Sequence, residues 1–405
     1  MRRLLLILLV ATAATAAPKR RSVAVPGADS FLAHPLRSTE LVADSSDLEP
    51  LRGIVGNAAV VGLGDDTHGT HEFFTLKLRL ADFLVREMGF DVFSIEGPFP
   101  IFERINVYAQ GGPGDPRALL REVNSRLLYL FWDVEEMLAV IEWVRDYNLH
   151  RGDRRPIEIV GSDIYDEQGG VEGVLAYLRG VDPAAAAEAE REYACVLARD
   201  RSSACGAGAQ RVREALLARQ DGDGRTYQDA LHYAETVTNS FTSSTFSGRE
   251  RAQAANVLWA REHRGSARKV MHWGHQEHVS KLQSPYTHGL TMGTLLAGQL
   301  GAEYVAIGTL TGSGSFLQWE RVTPGADVFR ISLQTYPDPI EGTYELAFRR
   351  RGIPAMLVPL RGRIVPGTKF RTGGTTSGWT YVEQRLWEKL DAVIYVDRTT
   401  PTRPL

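Results

Sequence analysis

The sequence contains few cysteines, no long apolar stretch beyond its N-terminus and no excess of basic residues, and each shortage excludes a class of protein. Two cysteines occur among 405 residues, and neither stands in a spacing that zinc ligands or a catalytic nucleophile require. Beyond the first residues, no apolar run reaches the roughly 20 residues that span a bilayer. The formal net charge is −3 and no basic stripe persists along the chain, so we expect no nucleic-acid partner.

What the chain does contain is typical of a folded protein that is exported. Apolar residues make up 43% and charged residues 23% of the sequence, enough for one large core or two modest ones. Two arginines, an apolar run at residues 4–10 and small residues up to Ala17 form the pattern of a signal peptide over residues 1–17. We therefore predict a periplasmic or secreted protein with no membrane attachment after cleavage.

The two cysteines, Cys195 and Cys205, are ten positions apart. In an oxidising compartment, a pair this close favours one local disulfide that ties a helix to the loop after it. The alternative is two free thiols. In either case the pattern indicates a structural role.

Apolar runs alternate with helical patterns, which favours an α/β fold with a mainly parallel sheet flanked by helices. The first run, residues 58–64, precedes a helix with one apolar face from Thr70 to Gly89, and a second strand follows at residues 90–97. These elements form a βαβ unit with a right-handed crossover. Further strands are predicted at residues 157–161, 269–274, 304–309, 355–360 and 392–397.

Residues 38–398 are predicted to form one domain with a helical insertion. Residues 170–262 have alanine-rich and amphipathic segments without strand character. We expect a helical subdomain or lid there, or alternatively helices that cover one face of the sheet. The last residues, 399–405, are expected to be disordered.

Acidic and imidazole side chains follow four of the predicted strands. Asp65 and His68 come after the first strand, and Glu96 ends the second. Asp163 follows the third strand and His275 follows the fourth. Ligands bind at the carboxyl ends of the strands in open parallel sheets, so we expect these groups to meet at one edge. Four such placements indicate a functional site.

This set of side chains favours hydrolysis by an activated water. The sequence has no Gly-x-Ser-x-Gly elbow, so covalent acyl transfer has no obvious nucleophile. A histidine oriented by a carboxylate can deprotonate water near neutral pH. His68 would act as this base, held by Glu96 or Asp65. His275 would stabilise a developing oxyanion or protonate the leaving group.

Other interpretations use the same residues. Two or three imidazoles with one or two carboxylates also suit zinc or manganese, although no His-Glu-x-x-His motif is present. A non-catalytic protein could bind haem with His68 and His275 as axial ligands. Asp163 could cap the turn after its strand, Glu72 could complement a helix dipole, and His272 fits a core position better than a ligand position.

Residues 62–97 contain a histidine–glycine pair after an acidic residue, a helix with two adjacent phenylalanines and a strand that ends in glutamate. This segment is similar to the erythromycin esterase family. Other segments that resemble the family follow in the same order over nearly all of the mature chain, at residues 132–136, 142–148, 161–163, 247–259, 272–279, 292–308 and 342–345.

The resemblance implies the family's α/β fold and a hydrolase that opens a macrolide lactone or a related small-molecule ester, in response to an antibiotic and without a metal or other cofactor. It implies that His68 is the general base and Glu96 its carboxylate partner, while His275 and His278 form a second histidine pair. Arg249 matches an arginine that faces the cleft. The residues predicted to bind the substrate are His278, Arg249, Asp163 and Trp132.

The sequence departs from the family pattern at positions near the site. The glutamate that usually stands three residues before the base is Asp65, and an expected arginine is Lys77. The usual Arg-Asp pair ends in Glu250, and Gln276 replaces an asparagine. Asp65 has a shorter side chain than glutamate by one carbon–carbon bond, about 1.5 Å. The predicted catalytic residues are His68, Glu96, Asp65 and His275.

Overall fold

The structure is a computed structural model that describes residues 31–127, 131–219, 224–243, 245–263, 268–321, 329–375 and 378–405. The strands in these ranges are β1 (His34–Pro35), β2 (Val60–Asp65), β3 (Val92–Pro98), β4 (Glu158–Asp163), β5 (Val270–His275), β6 (Tyr304–Arg321), β7 (Phe329–Thr335), β8 (Ala355–Pro359), β9 (Lys369–Thr375), β10 (Gly378–Glu383) and β11 (Ala392–Thr399). The predicted signal peptide, residues 1–17, lies outside the described residues.

The α-helices of the same ranges are α1 (Pro50–Val55), α2 (His71–Met88), α3 (Phe99–Ala109), α4 (Pro116–Leu127), α5 (Glu135–His150), α6 (Glu167–Val181), α7 (Pro183–Leu197), α8 (Ser203–Ala218), α9 (Arg225–Thr242), α10 (Phe246–His263), α11 (Gln276–Val279), α12 (Met292–Leu300), α13 (Tyr344–Arg349) and α14 (Leu386–Lys389). Among these described helices, none combines the length and apolar character that crossing a membrane requires.

Most strands belong to one sheet, in the order β1-β8-β11-β6-β2-β5-β3-β4, with β7 paired to the end of β6. The six strands from β11 to β4 in this order are parallel to one another. β8 and β7 run antiparallel to β11 and β6, and β9 pairs with β10 in a separate hairpin. The predicted α/β fold with a mainly parallel sheet is therefore confirmed.

Hydrophobic cores lie on both faces of this sheet. Successive side chains of a strand point to opposite faces, and along β2 the side chains of Val61 and Leu63 belong to the core that includes α2 and α5. Val60, on the opposite face, belongs to the core that includes α10 and α12. Burial on both faces explains why the parallel strands appear in the sequence as continuous apolar runs.

The first predicted unit is present as β2, α2 and β3. Gly89 ends α2 with a φ of 73°, and its N–H bonds to the carbonyl of Leu84. Glycine adopts this left-handed conformation at little cost, which makes it a common helix terminator. The strand predicted at residues 304–309 continues to Arg321 as β6, and the strands β1, β7, β9 and β10 are present in addition to the predicted ones.

The segment predicted as a helical insertion contains α6 to α10. Helices α6 to α9 surround a hydrophobic core of their own, whereas α10 contributes apolar residues to the core on the sheet. The predicted disulfide is present, since the sulfurs of Cys195 and Cys205 are 2.10 Å apart. It joins α7 to α8, and thus two consecutive helices rather than a helix and a loop.

The expectation of a disordered tail at residues 399–405 is wrong. Thr399 is the last residue of β11, Pro401 forms a bridge with Thr70, and Pro404 forms a bridge with Val134. The composition of this tail, with two prolines among its seven residues, indicates poor regular structure. The backbone partners of Pro401 and Pro404 lie more than 250 positions earlier in the chain, so no local pattern indicates them.

Candidate active site

Four neighbouring strands bring the predicted polar residues to one edge of the sheet. In the order β2-β5-β3-β4, Asp65 ends β2, His275 ends β5, Glu96 lies near the end of β3 and Asp163 ends β4. Asp65 and His275 stand opposite each other in the parallel register. The carboxyl edge of a parallel sheet therefore gathers these groups, as the topology of open α/β sheets predicts.

His68 lies in the short loop between β2 and α2, and its imidazole is held on one side. Its Nδ1 is 2.7 Å from Oδ2 of Asp65, and 20% of its side chain is exposed. The ring stacks on Phe131, with centroids 4.0 Å apart and planes inclined by 14°. Of the two carboxylates that the sequence offers as partners of His68, Asp65 makes this contact.

A buried cation neutralises the negative charge of Asp65. The ammonium of Lys77, which reaches the end of β2 from α2, pairs with Oδ1 of Asp65 and donates to the carbonyl of Gly274 at 3.2 Å. Burial alone would raise the pKa of Asp65, but Lys77 and His68 lower it to about 2. Burial lowers the pKa of Lys77 to about 8, so both groups are charged at neutral pH.

Glu96 is the centre of a second, adjacent network. Its Oε1 is 3.0 Å from Nη2 of Arg249 and 3.0 Å from Nε2 of His278, and its Oε2 accepts the backbone N–H of His275 at 2.7 Å. Burial alone would raise the pKa of Glu96, but the charges of His278, His68 and Arg249 hold it well below its usual range. Glu96 thus binds Arg249, His278 and the backbone N–H of His275.

His278 is a buried imidazolium between two carboxylates. Its Nε2 faces Glu96, and its Nδ1 is 2.5 Å from Oε1 of Glu250. Burial alone would lower the pKa of His278, but Glu96 and Glu250 raise it to about 10. The second oxygen of Glu250 accepts the N–H of Met292 at the start of α12, which ties this pair to the helix.

Arg249 carries the positive charge that faces the site most openly. Its Nε is 3.1 Å from both carboxylate oxygens of Asp163, and its Nη2 also donates to this carboxylate. Asp163 is fully buried and so does more than cap a turn, while the Arg249 side chain is 20% exposed. The guanidinium is therefore fixed by Asp163 and Glu96 and keeps one side toward solvent.

His275 has backbone partners at both ring nitrogens. Its Nδ1 accepts the N–H of Glu277 at 3.2 Å, and its Nε2 donates to the carbonyl of Asp66 at 3.1 Å. Burial and the nearby His68 lower the pKa of His275 to about 4. A neutral ring with both nitrogens engaged offers no free N–H to an oxyanion in this conformation, so the structure favours a positioning role.

Trp132 lies behind the site rather than at its surface. Its side chain is fully buried, and its indole N–H donates to the carbonyl of Glu96 at 2.8 Å. The sequence predicts that Trp132 binds the substrate. Its burial corrects this prediction, because a fully buried side chain is not accessible to a substrate. Its neighbour Phe131 is partly exposed and stacks on His68, so Phe131 is an aromatic ring that borders the site.

His272 is a core residue, in agreement with the expectation that it fits a core position better than a ligand position. It is fully buried, and its Nδ1 lies 3.0 Å from the hydroxyl of Ser94. Burial lowers its pKa to about 3, so it is neutral at physiological pH. Across the described ranges, no three His, Cys, Asp or Glu side chains are arranged to hold a metal ion.

Three residues that complete the site, Lys77, Glu250 and Phe131, are not among those that the sequence predicts to act there. In the sequence, Lys77 and Glu250 stand out only as departures from a family pattern. Lys77 did carry a signal, because it stands four residues after Phe73 on the apolar face of α2, where a cation needs a buried partner. Glu250 and Phe131 contact partners that are distant in the sequence, so no local pattern indicates these contacts.

Because of the positive charge of His278, the free energy of unfolding is expected to decrease as pH rises through the alkaline range. Its folded pKa is raised from 6.5 to about 10, so its stabilising effect is complete below the unfolded value and is lost as pH rises through the folded value. We expect the difference in unfolding free energy between wild type and His278→Gln to shrink by about 1 kcal/mol per pH unit in this window. Urea unfolding at several pH values measures it. A difference that stays constant with pH would contradict a charged His278.

One family model matches most of the chain. The family model described as erythromycin esterase matches residues 85–399. The chain belongs to the erythromycin esterase family. The matched range includes Glu96, Arg249 and His278, while Asp65 and His68 precede it. Membership in this family supports a hydrolase of the esterase type.

Individual relatives are distant in sequence. The chain is 26% identical to erythromycin esterase type II of Escherichia coli over 78% of this chain and 84% of that protein. A solved succinoglycan biosynthesis protein is 26% identical, with a TM-score of 0.79 over 92% of this chain and 96% of that one. A histidine-to-asparagine mutant of the erythromycin esterase EreC, solved in its open conformation, is 18% identical, with a TM-score of 0.69 over 88% and 94% of the two chains. The last likeness concerns the fold alone.

Proposed function

We propose that this protein hydrolyses a lactone or another carboxylic ester, and that His68 activates the attacking water. The observation that carries the proposal is the 2.7 Å contact between Nδ1 of His68 and Asp65, which orients a partly exposed imidazole at the carboxyl edge of the sheet. We place the proton of His68 on Nδ1, the nitrogen that faces Asp65, which leaves Nε2 to accept a proton from water. A carboxylate behind a histidine also stabilises the imidazolium that proton transfer creates.

A fixed cation in the network around Glu96 supplies the second requirement of ester hydrolysis. Attack of water on a carbonyl places negative charge on the carbonyl oxygen, and preorganised donors aimed at that charge lower the barrier. Arg249 is held by Asp163 and Glu96 and exposes 20% of its side chain. We assign it to the developing oxyanion or to a polar group of the substrate, with Asp163 and Glu96 keeping it in place.

The substrate class and the location of the protein follow from separate observations. E. coli erythromycin esterase type II is among the relatives, and on this ground we include macrolide lactones among the candidate substrates, which would give the protein a part in the response to antibiotics. The signal-peptide pattern of residues 1–17 and the disulfide between Cys195 and Cys205 both favour an oxidising compartment outside the cytoplasm.

A panel of substrates tests the proposed activity. Purified protein would be incubated with erythromycin, other macrolides, simpler lactones and p-nitrophenyl esters, and ring opening or release of the alcohol would be followed by mass spectrometry or absorbance. We expect at least one lactone or ester to be hydrolysed at a rate that a chelator does not reduce. Complete loss of the rate with chelator, and recovery with zinc or manganese, would instead indicate a metal-dependent hydrolase.

A further inference from the structure

The segment after β11, residues 400–405, lies between the two parts of the chain that build the environment of His68. On one side it contacts the loop and first turn at residues 69–72, directly after the base. On the other side it contacts residues 133–136, directly after Phe131 and Trp132. We call residues 400–405 the strap.

On the side of the base, the strap bonds to the residue that follows His68. The carbonyl of Gly69 accepts the backbone N–H of Thr402 at 3.0 Å and its hydroxyl at 3.3 Å. The N–H of Leu317 in β6 donates to the same carbonyl at 3.0 Å. Gly69 is thus clamped between a sheet strand and the strap. A Cβ at this position would stand 1.8 Å from the carbonyl oxygen of Leu317, so nothing larger than glycine fits there.

On the side of the aromatic residues, the strap bonds to the start of α5. The N–H of Glu135 donates to the carbonyl of Arg403 at 2.8 Å, and the N–H of Leu405 donates to the carbonyl of Asp133 at 3.2 Å. Pro404 forms a bridge with Val134 between them. These bonds fix the residues that follow the Phe131 ring on which His68 stacks.

Two carboxylates of low exposure secure the strap at its two ends. Glu72 accepts the N–H and the hydroxyl of Thr400, both at 2.7 Å. Glu136 accepts the N–H of Arg403 at 3.1 Å and lies 2.7 Å from Nδ1 of His71. Glu72 is 9% and Glu136 is 4% exposed. A carboxylate removed from water is costly without donors, so these side chains bind the strap firmly rather than incidentally. Glu72 therefore does more than complement a helix dipole.

We propose that the strap is a positioning element for the base: Thr402, through Gly69, fixes the ring of His68 between Asp65 and Phe131. This inference rests on the proposed function, in which His68 is the base. Thr402 does not touch the substrate, so its influence is on the rate of the chemical step. A displacement of about 1 Å at a reacting group can cost on the order of 10² in rate.

The variant Thr402→Pro tests the strap, because it removes the two hydrogen bonds that Thr402 donates to the carbonyl of Gly69 and leaves the one from Leu317. Thr402→Ser keeps both donors and is the matched conservative variant, and Arg398→Ala changes an exposed neighbour on β11 as a control. With any ester that the wild type hydrolyses, we expect Thr402→Pro to lower kcat about tenfold or more at nearly unchanged KM. Thr402→Ser and Arg398→Ala should keep the wild-type kcat. Equal kcat for folded Thr402→Pro and wild type would overturn the proposal.

The ring ¹⁵N signals of His68, assigned by their loss in His68→Ala, give a second readout that does not need activity. We expect Thr402→Pro to shift or broaden these signals and Thr402→Ser to leave them in place. Coincident His68 signals in Thr402→Pro and wild type would overturn the strap proposal even if the protein is an esterase. Shifted signals in a protein that hydrolyses nothing on the panel would overturn the proposed function alone. If Thr402→Pro does not fold, Glu72→Gln, which loses a charged acceptor for Thr400, replaces it with the same expectations.

Discussion

Replacing His68 by alanine is expected to lower kcat for ester or lactone hydrolysis by about 10² to 10⁴, the usual contribution of a general base. The methyl group of alanine cannot accept a proton from water, and Asp65 lies too deep to take over, because its side chain is only 2% exposed. The proposed oxyanion site around Arg249 is unchanged in this variant, so some rate above that of free solution should remain. Steady-state kinetics on a substrate from the panel measures the loss.

A matched surface variant shows whether the loss is specific to this histidine. The His150 side chain is 73% exposed at the end of α5, so His150→Ala should retain the wild-type rate. Circular dichroism and thermal unfolding of both variants establish that the fold is kept. A His68→Ala protein that is folded and as active as His150→Ala would exclude His68 as the base.

Replacing Lys77 by methionine is expected to destabilise the fold by about 3 to 5 kcal/mol, because it leaves one member of a buried ion pair without its partner. Lys77 and Asp65 are 1% and 2% exposed, so water cannot replace the missing cation without disrupting the core. Loss of the ammonium also removes the main charge that lowers the pKa of Asp65. Urea unfolding at neutral pH measures the change in unfolding free energy.

The double variant Lys77→Met, Asp65→Asn separates the buried charge from the lost packing. Removing both charges should recover part of the stability that Lys77→Met loses, since an uncompensated carboxylate is the costly species. Lys369→Met is the control, because Lys369 is partly exposed and stands over the ring of Tyr381, a contact worth about 0.5 to 1 kcal/mol. A double variant less stable than Lys77→Met would show that the charge of Asp65 is not the source of the instability.

The parts of the fold that the sequence predicts are those set by local pattern. The buried strands β2, β3, β4 and β5 are continuous apolar runs, and α2 has one apolar face and a glycine at its end. Because parallel strands share one carboxyl edge, the positions of Asp65, Glu96, Asp163 and His275 at that edge follow from the same patterns. No knowledge of side-chain contacts is needed for that step.

The parts that the sequence does not predict depend on contacts between distant residues. The strap has a composition typical of disorder, and its order arises from partners such as Glu72 and Glu136 on other elements. The pairing of His68 with Asp65 rather than Glu96 depends on which side chain turns toward the loop, that of β2 or that of β3, two strands with β5 between them. Spacing along the chain does not determine that choice, and the resemblance to a family favoured Glu96.

The burial of residues predicted to bind substrate is a further result that only the folded chain provides. Trp132 and Asp163 are fully buried and His278 is nearly so, whereas Arg249 keeps part of its surface open. Sequence patterns place such residues at the correct edge of the sheet. They do not distinguish a side chain that contacts the ligand from one that supports its neighbour from behind.

The central claim is that Asp65 and His68 act as one unit on the attacking water, and a double-mutant cycle tests it most directly. The measured quantity is kcat/KM for wild type, Asp65→Asn, His68→Ala and the combined variant, all verified as folded. We expect Asp65→Asn to cost about tenfold or more in the presence of His68 and to have almost no effect in its absence, because residues that act together are strongly non-additive. Equal losses from Asp65→Asn in both backgrounds would contradict the claim.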